Sequence, residues 1–166
     1  MKYEILKDDF IEFDDRKLYR IRALKDFHNV KKGKFGGYIE SERNLSHEGD
    51  AWVYGDAWVY GNARVYGDAQ VYGNVRVSGN ARVSGNNAVV WFSNVGTENG
   101  TLTVYCGKNG LIATRGCFTG SVEEFLAKSA EVHDEKTKRE YELLIEVARS
   151  RLEEAQGNLH RWASAI

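Results

Sequence analysis

The stretch AWVYGD-AWVYGN-ARVYGD-AQVYGN-VRVSGN-ARVSGN, residues 51–86, runs through one six-residue pattern six times and decides the fold. Positions one and three are Ala (once Val) and Val, position two is Trp, Arg or Gln, and position four is Tyr or Ser. Position five is always Gly, and position six is Asp or Asn. Successive side chains on a strand point to opposite faces, so each unit sets small apolar residues on one face and larger ones on the other. Gly followed by Asp or Asn tolerates positive φ and turns its own backbone, which supplies a corner after every short strand. A unit this short cannot fold back as a hairpin and keep one register. It can turn the same way each time, so that every strand pairs with the strand one coil later at about 4.8 Å. Three sides of six residues then place equivalent positions 18 apart, around an inner column of Ala and Val thin enough to fill a narrow prism. No coil buries its own apolar face, and stability comes from stacking on neighbours.

Outward from this stretch the pattern decays. Upstream, LSHEGD (45–50) keeps the Gly-Asp ending and IESERN (39–44) keeps only the Asn; downstream, NAVVWF (87–92) is the last degenerate unit. The expectation is a mainly β protein with a parallel β-helix of about three coils over residues 36–92. Residues 1–35 read as a strand-rich cap, with Tyr19, Ile21 and Ala23 on one strand face, Arg20 and Arg22 on the other, and Asp14-Asp15 as a turn. Residues 93–120 read as β-hairpin strands, with Asn99-Gly100 and Asn109-Gly110 as turn signals around TLTVYCG. Open solenoid ends need covers, because unpaired strand edges invite aggregation, and these two flanks are the candidates. Residues 121–166 read as helices. Ser121 with Glu124 forms a capping box, Asp134 caps a second helix, and Gly157 ends it. In that second helix Tyr141, Leu144, Ala148, Leu152 and Ala155 recur every three or four residues, a stripe for packing onto the β-helix end or onto sister helices.

Composition narrows the classes. The 166 residues are 42% hydrophobic and 28% charged, with a net charge of -1, which gives no reason to expect long nucleic acid or an anionic membrane as partner. Proline is absent, whereas Gly occurs 17 times and periodically, as a backbone rich in ladder hydrogen bonds and tight corners requires. Cys106 and Cys117 match neither zinc nor CxxC spacing and read as a free, packed pair. MKYEILKDDF lacks the apolar core of a signal peptide and no run is long enough for a membrane helix, so a cytoplasmic location is expected.

The outward columns hold the candidate site. On the 18-residue geometry Trp52 and Tyr54 stand beside Gln70 and Tyr72, Trp58 and Tyr60 beside Arg76 and Ser78, and Arg64 and Tyr66 beside Arg82 and Ser84. A solvated β-surface ordinarily carries Thr, Lys and Glu, whereas Trp, Tyr and Arg are enriched at interface hot spots. One reading makes these rings cross-strand ladders and a subunit interface, worth about 0.2–1 kcal/mol per pair. The other makes them a site for a flat, anionic, nucleotide-like molecule between subunits. Two stacked rings and two arginine contacts would then gross about 5–12 kcal/mol before association costs. Arg115, beside Gly116, is a further candidate for that cleft.

Catalytic signals are sparse. No P-loop, GxGxxG, GxSxG or HExxH occurs, no metal-ligand spacing exists, and no cofactor is expected. Of His28, His47, His133 and His160, only His47 lies in a repeat unit. It stands where the other units have Val, which would turn it inward near the end of the first coil. It is the one candidate general base, and a structural role there is the simpler account.

The six-residue pattern resembles the hexapeptide-repeat, left-handed β-helix proteins, whose three-sided coils fit this period. The handedness and a homotrimer are what that resemblance implies. It also brings the acyltransferases of that family into view as an alternative function using acyl-CoA. In their pattern Gly follows the aliphatic residue directly, whereas here Tyr or Ser intervenes. The longer stretch GGYIESERNLSHEGDAWVYGDA, with GCFTGSVEEF downstream, is similar to small phage and prophage hexapeptide-repeat proteins of largely unassigned function, over roughly residues 19–150. The function expected from residues and resemblance together is non-enzymatic binding of a nucleotide-like anion in inter-subunit clefts. Its concrete version is sequestration of a host immune nucleotide signal, and the alternatives are the acyltransferase or a structural, protein-interaction module.

Overall fold

The computed structural model describes residues 1–85 and 89–155. The chain divides between Asn86 and Asn87 into two units.

In the first unit the repeat forms six two-residue strands: β4 (Trp52–Val53), β5 (Trp58–Val59), β6 (Arg64–Val65), β7 (Gln70–Val71), β8 (Arg76–Val77) and β9 (Arg82–Val83). They follow β1 (Tyr3–Phe13), β2 (Arg16–Ala23), β3 (Phe35–Ile39) and a 3-10 turn at Glu42–Asn44. Each repeat strand pairs in parallel with the strand three units on: Trp52 with Gln70, Trp58 with Arg76, Arg64 with Arg82. The three sides and the 18-residue period expected from the sequence are therefore present. Every Ala and Val at positions one and three from Ala51 to Val83 is at most 1% exposed, so the prism is filled by the inner column alone. The corners need glycine. At Gly67, φ is +63, and a Cβ would stand 2.7 Å from the Ser84 carbonyl oxygen of the next coil.

The first coil is longer than its hexapeptide reading. Tyr38 pairs with Trp58 and Leu45 bridges to Val65, in each case 20 residues on. Ser46 N–H donates to the Val65 carbonyl and Asp50 N–H to the Gly67 carbonyl, so His47-Glu48 is a two-residue insertion ahead of the Gly49 corner. The buried Leu45, not His47, holds the inward Val position, and the inward histidine expected from the sequence is corrected by this register. The downstream limit also differs. Residues 89–92 do not extend the winding; they belong to β10 (Val89–Val95), which pairs antiparallel with β11 (Gly100–Gly107) of the second unit.

The entry end of the solenoid is covered by the β1–β2 hairpin. Sheet order β1-β2-β3-β5-β8 continues the second side of the prism past its first coil. Asp14 and Asp15, at φ 49 and 61, turn the hairpin. A shift between Ile5 and Phe10 changes which residues face inward, so Leu18, Ile21 and Ala23 are buried while Tyr19 is only half-buried. β3 meets the coil closely at Gly37, where a Cβ would stand 2.5 Å from the Ala57 carbonyl oxygen.

The second unit is an antiparallel meander in order β10-β11-β12-β13, with β12 at Gly110–Arg115 and β13 at Phe118–Ser121. Helices α1 (Val122–Val132) and α2 (Glu135–Ala155) follow. Ser121 Oγ accepts the Glu124 N–H while Glu124 reaches back to the Ser121 N–H, closing the expected capping box. Thr137 N–H donates to Asp134 at 2.8 Å, and this bond holds the Asp134 carboxyl below its usual pKa. The buried stripe of α2 is Tyr141, Ile145, Ala148 and Leu152, so Ile145 replaces the expected Leu144. It lies on the unit's own meander. Cys106 is buried beneath it and Cys117 is exposed, with no disulfide between them, so the two are not the packed pair the sequence suggested. Gly157 and His160 fall outside the described residues. Among those described, no helix is long and apolar enough to cross a membrane.

Candidate functional site

The three sides of the prism carry similar outward residues but differ in what lies on them. On the first side Trp52 is fully buried, between the rings of Phe27 (5.3 Å, 70°) and Tyr3 (6.2 Å, 68°). Tyr54 donates its hydroxyl hydrogen to Gln70 at 2.6 Å and meets Tyr72 edge-on; partial burial raises its pKa. On the second side the hairpin tip packs Phe13 on Trp58 at 5.1 Å and on Tyr60 at 5.7 Å, leaving Tyr60 6% exposed. Arg76 lies 4.0 Å over the Trp58 ring and 5.3 Å from Phe13. One coil back, Arg20 lies over Tyr38 and donates to its hydroxyl. Arg20, Tyr38, Trp58 and Arg76 thus form one outward ladder in which two neighbouring rings each carry a guanidinium on the outer side. A ring with no exposed surface has none to offer a ligand, so within this chain Trp52 acts as core.

Among the described residues of the first unit, nothing packs over the third side as the hairpin does over the second. Arg64 and Tyr66 are exposed, and Arg82 is in register with Arg64 one coil on. With Glu42, Arg43, Ser46 and His47 they line a groove of about 460 Å³ floored by Leu45 and Val65. Arg43 donates from Nη1 to Asn62 Oδ1 at 3.3 Å and from Nε to Ser41 Oγ at 3.2 Å. Arg82 Nη1 donates to the Asn62 carbonyl at 3.3 Å and to the Ala81 carbonyl at 3.1 Å. Asn62, at the corner between the second and third sides, therefore gathers two guanidinium groups. Arg64 makes no side-chain hydrogen bond or ion pair among the described residues. None of the three arginines pairs with a carboxylate there. Three unneutralised guanidiniums within consecutive rungs set up a local positive potential that the overall charge of -1 conceals.

His47 lines this groove but is tied down. Its ring stacks on Tyr3 at 4.1 Å and 11°. Nδ1 accepts the Lys2 N–H at 3.2 Å, which leaves the neutral ring its proton on Nε2, facing Glu42 Oε1 at 3.2 Å. With both nitrogens engaged, no lone pair is free to take a proton from a substrate. Among the described residues no cluster of three or more His, Cys, Asp or Glu side chains could hold a metal ion.

Lys2 anchors this end from beneath. It is 1% exposed, its ammonium donates to the Ala51 carbonyl at 2.6 Å and the Gly49 carbonyl at 3.3 Å, and desolvation lowers its pKa to about 8. The Tyr3 hydroxyl donates to the Leu45 carbonyl at 2.6 Å, and burial raises its pKa above the usual tyrosine range.

Of the residues singled out from sequence, the structure gathers Arg64, Tyr66, Arg82 and His47 into one groove. It leaves Trp52, Tyr54, Trp58, Tyr60 and Arg76 on the other two sides, and puts Arg115 in the second unit. Sequence reasoning missed Arg43, Ser46 and Glu42. The signal was the charged run ESER ahead of Asn44, whose buried side chain bonds the carbonyls of Gly61 and Ala63 and so fixes where that run sits on the coil.

Two overlapping segments, residues 57–73 and 69–85, match the family model described as YdcK Beta solenoid repeat. The match agrees with the parallel pairing and covers the repeat only. No curated protein matches the chain.

Proposed function

We propose that the third side of the solenoid binds an anionic, nucleotide-like small molecule without transforming it. The observation that carries this reading is the in-register pair Arg64 and Arg82, without carboxylate partners among the described residues and flanked by the exposed ring of Tyr66. Guanidinium forks match phosphate oxygens, and each such hydrogen bond contributes about 1.5–3 kcal/mol. A planar ring alongside adds about 1–3 kcal/mol per stacked base. The groove is open, so a second copy of the chain would close it, as expected for clefts between subunits of a homotrimer. The left-handed hexapeptide winding and the phage source implied by resemblance belong to the same reading, which makes the protein a cytoplasmic sponge for a host immune nucleotide signal. The occupied nitrogens of His47 favour binding over acyl transfer.

The test is calorimetric titration of the full chain with linear and cyclic mono- and dinucleotides, alongside native mass spectrometry of freshly purified protein. The expected result is a trimer mass and at least one nucleotide that binds and is recovered intact after heat denaturation. Absence of heat with every nucleotide, and of any co-purified small molecule, would overturn the proposal.

A further inference from the structure

The second unit contains a recess of about 200 Å³ that plays no part in the reading above. Arg115, at the end of β12, lines it with a side chain only 15% exposed. Its Nε–H donates to the Tyr141 hydroxyl at 3.2 Å, and its one ion-pair partner among the described residues is Glu98, 4.0 Å away on a side chain 83% exposed. Two glycines keep this arrangement possible. A Cβ at Gly100 would stand 2.7 Å from the Arg115 guanidinium carbon, and one at Gly96 would collide with the Tyr141 hydroxyl. From α1, Lys128 and His133 line the same recess. The Ser129 hydroxyl lies 2.9 Å from His133 Nδ1, while Nε2 makes no hydrogen bond among the described residues. Phe118 and Phe125, edge-on at 5.5 Å, supply an apolar wall.

We infer that this recess binds a small organic oxyanion, a carboxylate or phosphate monoester bearing an aryl or short alkyl group. A mostly buried arginine whose Nη groups make no hydrogen bond among the described residues attracts an oxyanion more strongly than an exposed one does. Glu98, swinging in from solvent at 4.0 Å, is the weak internal counter-ion that such a ligand displaces. The phenylalanine wall accommodates the apolar part. The volume is below the roughly 300–1,000 Å³ of sites for drug-sized ligands, which selects a small molecule.

Cys117 lines the recess and is exposed, whereas Cys106, the other cysteine of the chain, is buried, so alkylation of the folded protein by neutral iodoacetamide reports on this site. The probes are phenyl phosphate and benzoate, with benzyl alcohol as the uncharged control. Protection follows 1 + [L]/Kd, so a ligand at ten times its Kd slows Cys117 labelling about tenfold. The expected result is protection by at least one aryl oxyanion and none by benzyl alcohol, the stronger of the two naming the head group. Protection should weaken in Arg115→Gln and Lys128→Gln and strengthen in Glu98→Gln. Unchanged labelling with both oxyanions up to about 10 mM, ten times a millimolar Kd, overturns the inference. So does equal protection by benzyl alcohol, or protection undiminished in Lys128→Gln. Lys128 is 60% exposed and Glu98 83% exposed, so those two variants decide the matter even if Arg115→Gln does not fold.

Discussion

The second and third sides of the solenoid are built on the same backbone period, and each carries arginine and aromatic residues in outward register. On the second side the hairpin tip lies over the column, and each cation it carries has a ring beneath it. On the third side nothing from the described chain covers Arg64 and Tyr66, and Arg64 and Arg82 stand in register one coil apart. The repeat dictates where side chains point. The non-periodic flank dictates which of them become core and which stay available, so composition of an outward column does not by itself distinguish packing from binding.

The largest test of that division is Trp52→Ala on the covered first side. Removing a fully buried indole should cost about 3–5 kcal/mol in equilibrium denaturation. Tyr66→Ala, on the third side, should stay within about 0.5 kcal/mol. Trp52→Phe should be far milder than Trp52→Ala. The Trp52 indole N–H is buried without a partner among the described residues, and losing it removes a desolvation penalty of about 1–3 kcal/mol. Equal losses for Trp52→Ala and Tyr66→Ala would erase the distinction between the sides.

Next comes the buried ammonium under the covered end. Lys2 has its pKa lowered to about 8 from 10.5, so between those values the unfolded chain holds more protons than the folded one. Stability therefore rises with pH through this window, by up to about 3 kcal/mol in total. Tyr3, raised by burial, acts in the opposite direction above its unfolded pKa of 10.0, so the clean interval is pH 8 to 10. Urea denaturation across that interval should show a rising slope in the wild type that Lys2→Met lacks. Parallel pH profiles for the two proteins would mean the ammonium is not desolvated as described.

The limits of legibility follow from the same division. Small apolar residues at positions one and three, with Gly-Asp corners, can satisfy only a stacked three-sided winding, so the repeat and its register were readable. The His47-Glu48 insertion was not, because LSHEGD keeps the Gly-Asp ending and mimics an in-phase unit while Leu45 takes the inward place. VVWF at 89–92 carries β-branched and aromatic residues that suit either kind of ladder, and only its partner strand decided for the antiparallel one. Burial of Trp52 depends on Tyr3 and Phe27, far off in sequence, and no local pattern encodes that meeting. On the third side Arg64, Tyr66 and Arg82 were legible because no described residue far off in sequence covers them. Arg43 was hidden in the irregular turn before the repeat.

On the third side, Arg64→Ala should leave the denaturation midpoint nearly unchanged. It should weaken the tightest nucleotide by the worth of one charged hydrogen bond, about 1.5–3 kcal/mol or roughly 10–150-fold. Arg76→Ala, on the covered side, should show the reverse, lower stability and near-normal affinity. Calorimetry on both variants, with affinities compared at low and high salt, checks this. An affinity loss that is larger for Arg76→Ala would move the site to the second side.

The smallest effect is the sharpest, because it compares two pairs with the same register. Trp58 and Arg76 are parallel partners, as are Arg64 and Arg82. The first pair is a cation over a ring at 4.0 Å and should couple favourably, by about 0.5–1 kcal/mol or more, since the hairpin partly shields it. The second sets like charges side by side and should couple unfavourably, by about 0.2–1 kcal/mol. Double-mutant cycles on stability, with Trp58→Leu and Arg76→Gln in one and Arg64→Gln and Arg82→Gln in the other, should therefore give opposite signs. Salt should shrink the arginine term, and a bound nucleotide should reverse it, because an anion between two guanidiniums turns mutual repulsion into a shared attraction. A repulsion that survives saturating nucleotide would mean that the two arginines do not meet the ligand together, and the groove would lose its claim to be a single site.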